Sequence, residues 1–154
     1  EKSIKLLSLL SDDNLSNSSV SPYYSSIGSH LRQILDFYNC ILSGYKNSYI
    51  DLTDRKRDQR IEISCDFALE CINKILLELK GFIDLDQKVI VNDDLGLGNI
   101  QIEYSLASLL AQANSHTIHH YAIIHYILDR LGINFEDEDF GFNPTTPNPL
   151  ENYN

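Results

Sequence analysis

The sequence predicts an all-α fold: a four-helix bundle with two long crossover connections and a small β-hairpin between the third and fourth helices. Apolar residues recur at steps of three and four in four stretches, which is the spacing of one helix face. Serines precede these stretches, and glycines follow three of them. The segments 45–63 and 82–104 are too long to be tight turns between neighbouring helices, which points to crossovers.

Taken in order, Ile4, Leu6, Leu7, Leu9 and Leu10 predict a first helix that ends near Leu15, where Asp12–Asn14 and Ser16–Ser19 break the pattern. Pro22 with Ser21 as cap, or else Ser25 or Ser26 as cap, opens the second. Its stripe runs through Ile27, Leu31, Ile34, Leu35, Tyr38, Ile41 and Leu42, and Gly44 stops it. Residues 45–63 are polar, charged and without clean periodicity. Ser64 caps a third stripe, from Phe67 and Ala68 through Cys71, Ile72, Ile75 and Leu76 to Leu79, ended by Gly81. Lys88–Val91 and Asn99–Ile102 read as short strands around the turn-rich stretch Asn92–Gly98. The glycines of that stretch do not match a phosphate-binding loop. Ser105 opens the longest helix, which runs to about Leu131 with Gly132 as its stop. From Asn134 the chain reads as an irregular C-terminal tail, inside a single domain of residues 1–154. The run Glu136–Asp139 is read as a solvated loop, since its spacing fits no calcium loop.

Composition excludes some partners. Against 12 Lys and Arg stand 22 Asp and Glu, a net charge of -10. Such a chain is repelled by phosphate backbones and anionic membrane surfaces, so neither nucleic acid nor membrane is an expected partner. Its apolar runs are far shorter than the roughly 20 residues of a membrane-spanning helix. The best basic cluster, Arg55-Lys56-Arg57 with Arg60, is interrupted and flanked by acids. These arginines have the chemistry to grip a substrate carboxylate, although a solvated crossover loop is the plainer reading. Cys40, Cys65 and Cys71 are odd in number and lack paired spacing, which predicts reduced thiols and a cytoplasmic location.

The most informative signal lies in the fourth helix. Leu106, Leu109, Ala113, His116, His120, Ile123, Ile127 and Leu131 form one seam, with both histidines in its middle. Four residues apart, the two imidazoles project from one face on adjacent turns. That spacing lets both reach one metal ion at roughly 2.0–2.1 Å. His30 occupies a second seam, Ile27, His30, Ile34, Phe37 and Ile41. His30, His116 and His120 are therefore the candidate metal ligands, from two helices of one bundle core. Neutral imidazoles suit zinc, nickel, copper or iron, and three of them leave a coordination position open, as in catalytic sites. A polar pair at the mouth of a core is the plain alternative. His119 lies beside the seam and could replace one ligand, while His125 falls off it.

Three segments resemble the DinB-like proteins: Ser26-Ile27-Gly28-Ser29-His30-Leu31-Arg32-Gln33-Ile34-Leu35-Asp36-Phe37-Tyr38, Asn114-Ser115-His116-Thr117-Ile118-His119-His120-Tyr121-Ala122, and Phe140-Gly141-Phe142-Asn143-Pro144-Thr145-Thr146-Pro147. The resemblance implies an up-down-down-up helix order, a homodimer, and metal ligation by His30, His116 and His120. It also implies a small-thiol substrate, because characterised relatives include transferases and isomerases that use bacillithiol, mycothiol or glutathione. Position 121 is Tyr here, where the family frequently carries Arg directly after the last ligand.

Two functions follow as expectations. One is a metal-dependent thiol S-transferase or hydrolase holding zinc, nickel or iron, in which the ion lowers the pKa of a bound thiol or water. Tyr24, Asp36, Glu103, His119 and Tyr121 are its candidate proton-handling groups, each also readable as a capped end, a surface charge or a packed ring. The alternative is a non-catalytic metal-binding or stress-associated helical module.

Overall fold

The computed structural model describes residues 1–146. Pro147, the remainder of the tail, and the end of the third resembling segment lie outside them. The first stretch forms two helices rather than one: α1, Lys2–Leu7, and α2, Asp12–Ser16. The residues read as a breaker instead start the second helix, because the Ser11 hydroxyl accepts the Asn14 N–H and the Asn14 side chain returns the bond. Helix α3, Ile27–Gly44, begins at Ser26, whose Oγ accepts Ser29 N–H at 3.0 Å. A 3-10 turn follows at Tyr45–Asn47, and then strand β1, Tyr49–Asp51. After the short α4, Arg60–Ile63, comes α5, Cys65–Leu79, capped by Ser64 as expected. Strands β2, Lys88–Asp94, and β3, Asn99–Ser105, form the expected hairpin, three residues longer on each side. Helix α6, Leu106–Arg130, follows β3 with no intervening loop, and Ser105 caps it in a reciprocal box with Ser108.

The all-α four-helix bundle is therefore incorrect. Helices hold 52% of the chain, but a three-stranded mixed sheet makes the fold α/β. In it β1 pairs parallel with β2, Ile50 against Val91, and β2 pairs antiparallel with β3, Val91 against Ile102. The physical cause lies in the polar connection after α3. Ile50 and Leu52 alternate with polar neighbours and are wholly buried, so this segment has an inner face and joins the sheet.

The sheet gives the molecule a second core. Leu6, Leu15, Ile27, Leu31, Ile72, Ile75, Ile124 and Leu128 form a core among the helices. Phe37, Ile41, Ile50, Leu52, Val89, Val91, Leu106, Leu109 and Ala113 form another between α3, α6 and the sheet. Along α6 the first turns belong to the sheet-side core and the last to the helical core, with residues 116–120 between them. On α3 the order is reversed. The chain closes with a strap: Phe140 is fully buried, stacked on Tyr121 at 4.5 Å, and the His125 ring meets the Phe140 carbonyl at 3.1 Å. Among the described residues no helix is long and apolar enough to cross a membrane.

Candidate metal centre

The three predicted ligands meet where the two cores join. His30 and His120 are 6% and 4% exposed, and their Nδ1 atoms lie 2.9 Å apart. The His120 and His116 rings stand edge to face with centroids 4.4 Å apart, and Phe37 packs against His116 at 4.9 Å. Sequence spacing thus brings together His30, His116 and His120, as expected from two seams that face each other.

The hydrogen bonds restrict the tautomers. One Nδ1 of the His30–His120 pair must donate to the other. The second nitrogen of His30, Nε2, lies 2.8 Å from Ser25 Oγ. If His30 donated, His120 would carry its proton on Nε2, a buried atom without any partner. A stranded N–H donor is rarer in proteins than a stranded acceptor. The favoured arrangement has His120 Nδ1–H donating to His30, His30 Nε2–H donating to Ser25, and a bare lone pair on His120 Nε2. His116 Nε2 is likewise buried without a partner. Two adjacent imidazoles therefore each keep an unused ring nitrogen in the protein interior, where an unsatisfied polar atom is costly.

All three rings are held neutral. Burial lowers the His30 pKa, with a smaller contribution from His119. Burial also lowers that of His116, countered by the Gln33 main chain. Burial, followed by the neighbouring His116 and His30, takes His120 down to about 3. Neutral imidazole is the ligating form.

A divalent ion fits this donor set in chemistry and in its unused nitrogens. As the side chains stand, however, no group of three or more His, Cys, Asp or Glu among the described residues is arranged to hold a metal. The bonding of His30 supplies the reason, since Ser25 and His120 occupy both its nitrogens.

The other candidates are dispersed. The exposed His119 touches only the edge of the cluster, its ring 5.2 Å from that of His120. His125 serves the strap. Tyr24 is 63% exposed, Glu103 pairs with Lys88 on the sheet surface, and the Tyr121 hydroxyl shares a hydrogen bond with Ser3. Asp36, 2% exposed, binds Arg32 and accepts the Arg57 N–H. Sequence reasoning treated Ser25 only as a cap; its position one residue before the true cap gave no sign that it would reach His30. The cysteines are free, and burial pushes Cys40 and Cys65 up to about 11, which makes them poor nucleophiles.

Fold and site together define a mixed α/β protein with a largely buried three-imidazole cluster between two cores. No family model, curated protein or solved structure matches the chain.

Proposed function

We propose that this chain binds one divalent transition-metal ion, zinc, nickel or iron, through His30, His116 and His120, and acts as a metal-dependent thiol S-transferase or hydrolase. The observation that carries the reading is the pair of buried, unpartnered Nε2 atoms on His116 and His120. Two buried ring nitrogens without a partner cost stability unless something binds them. The resemblance of the histidine segments to DinB-like proteins supports the same ligand set. When bound, the ion lowers the pKa of a coordinated thiol or water and so supplies an anionic nucleophile near neutral pH. The chain's own part is to keep three imidazoles neutral and to shield His116 with Phe37; the His30–His120 hydrogen bond would open to free His30 Nδ1 for the ion, while Ser25 keeps its hold on Nε2. A homodimer, a small-thiol substrate and a cytoplasmic location belong to the same proposal.

Elemental analysis of tag-free protein tests it. One metal ion per chain is expected, lost in His116→Ala and in His120→Ala. Metal-free protein that takes up neither zinc, nickel nor iron would sink the reading.

A second reading is favoured by the low exposure of His30 and His120: a closed, non-catalytic metal module. Cobalt substitution separates the two. A cobalt spectrum that changes on adding a small thiol indicates an open position, and one that does not change indicates a closed site.

A further inference from the structure

A polar cavity of about 380 Å³ opens between α3, the connection after β1 and the tip of the β2–β3 hairpin. Arg32, Gln33, Arg55, Arg57, Asp93 and Asp94 line it. In a chain of net charge -10, the gathering of arginines at one cavity calls for a reason.

The guanidiniums are not equivalent. Arg32 is committed, with Nε on Glu62 and Nη1 on Asp36. Arg55 is half-buried, and its Nε donates to the Leu52 carbonyl at 3.0 Å. That bond fixes the plane of the fork and leaves both terminal nitrogens without a protein acceptor among the described residues. Arg57 has no side-chain hydrogen bond or ion pair among those residues. Its backbone is nevertheless held, in the left-handed region at φ 52, with its N–H on Asp36 Oδ1. A non-glycine residue is uncommon there. Two guanidiniums thus line one cavity with their terminal donors unspent among the described residues, which is the chemistry that recognises a planar carboxylate.

The lining also carries the other sign. Asp94 is occupied in the hairpin turn, accepting the N–H groups of Gly96 and Gly98. Asp93 accepts the Asp94 N–H on Oδ1, and its Oδ2 has no partner among the described residues. Two guanidiniums without an ion pair among the described residues and two carboxylates thus line the same cavity. Such a lining disfavours a dianion such as phosphate and favours a ligand with both charges.

We propose that this cavity binds a small zwitterion with a carboxylate and an amino group, the carboxylate held by Arg55 and Arg57 and the ammonium by Asp93. The site lies near the imidazole cluster, since Gln33, which lines the cavity, reaches the His116 ring through its main chain. It thereby names a substrate class for the metal centre, but its existence does not rest on that reading.

The test is binding to the full chain, freed of metal by a chelator, followed by nuclear-magnetic-resonance titration with four probes. L-norleucine carries both charges, hexanoate only the carboxylate, hexylamine only the amine, and inorganic phosphate neither geometry. Norleucine is expected to bind roughly tenfold or more tightly than the other three. Arg55→Gln and Arg57→Gln weaken norleucine by a similar factor, and Arg55→Lys, which keeps charge but loses the fork, does not restore it. Asp93→Asn weakens norleucine while leaving hexanoate unchanged. Arg60→Gln, outside the cavity, changes nothing and His116→Ala retains norleucine binding, so loss of the metal centre and loss of this site are read separately. Phosphate or hexanoate binding as tightly as norleucine, arginine variants that bind like wild type, or no binding of norleucine would each overturn the proposal.

Discussion

Charging His120 places a cation beside two other imidazoles in a region that water barely reaches, which is why burial and then His116 and His30 depress its pKa to about 3. An unfolded histidine titrates near 6.5, so between these values the unfolded chain binds more protons than the folded one. The neutral cluster's stability is therefore fully present above 6.5 and is lost progressively as pH falls towards about 3, with His30 and His116 acting in the same direction. Urea midpoints of metal-free protein are expected to decline from neutral pH to about 4, and the decline is expected to be shallower in His120→Asn. A flat profile in wild type would show that the rings are not buried in solution. Added zinc should raise the midpoint at neutral pH by mass action, and His116→Ala should abolish that rise.

Among the elements, helices α3, α5 and α6 were legible because each pairs a long apolar stripe with a serine cap. Strand β1 was not, because three residues with one buried isoleucine carry too little alternation to be separated from a charged loop. Only its partner β2, whose residues pair with it from about forty positions further along the chain, makes it a strand. The imidazole cluster was legible for a related reason: helical spacing is local, and two seams each carried the same residue type. The cavity holding Arg55 and Arg57 was not, since its walls come from three separate parts of the chain. Close approach between elements also left no trace in sequence patterns. A Cβ at Gly28 on α3 would lie 2.3 Å from the Glu62 carbonyl oxygen on α4, a backbone atom that cannot turn aside. Gly28→Ala is expected to cost about 1–3 kcal/mol or more in urea unfolding, through displacement of α4. Ile50→Ala removes a side chain with no exposure and is expected to cost about 2–5 kcal/mol, with the loss reported by the sheet-side core. If Ile50→Ala were neutral, β1 would not belong to the folded sheet.

At the scale of the whole molecule, the strap joins regions distant in sequence. Asp137 pairs with Lys2 and Lys5, Phe140 fills the helical core beside Tyr121, and Gly141 lies so close to α6 that a Cβ would stand 2.7 Å from the Ala122 backbone. Gly141 also has φ 81, a conformation that side chains resist. The energy of this closure is concentrated in Phe140, since the partly exposed lysine pairs contribute little. Phe140→Ala is expected to lose about 3–5 kcal/mol, whereas Lys5→Ala loses less than about 1 kcal/mol, both measured by denaturant unfolding. The hydrogen bond between His30 and His120 spans 90 positions of chain. Segments so far apart meet only after a large entropic cost of loop closure, whereas each helix can gain structure from its neighbours. The imidazoles are thus expected to come together on the native side of the folding barrier. Replacing His30 or His120 should then accelerate escape from the native state while leaving the refolding rate nearly unchanged, a difference that stopped-flow chevrons resolve.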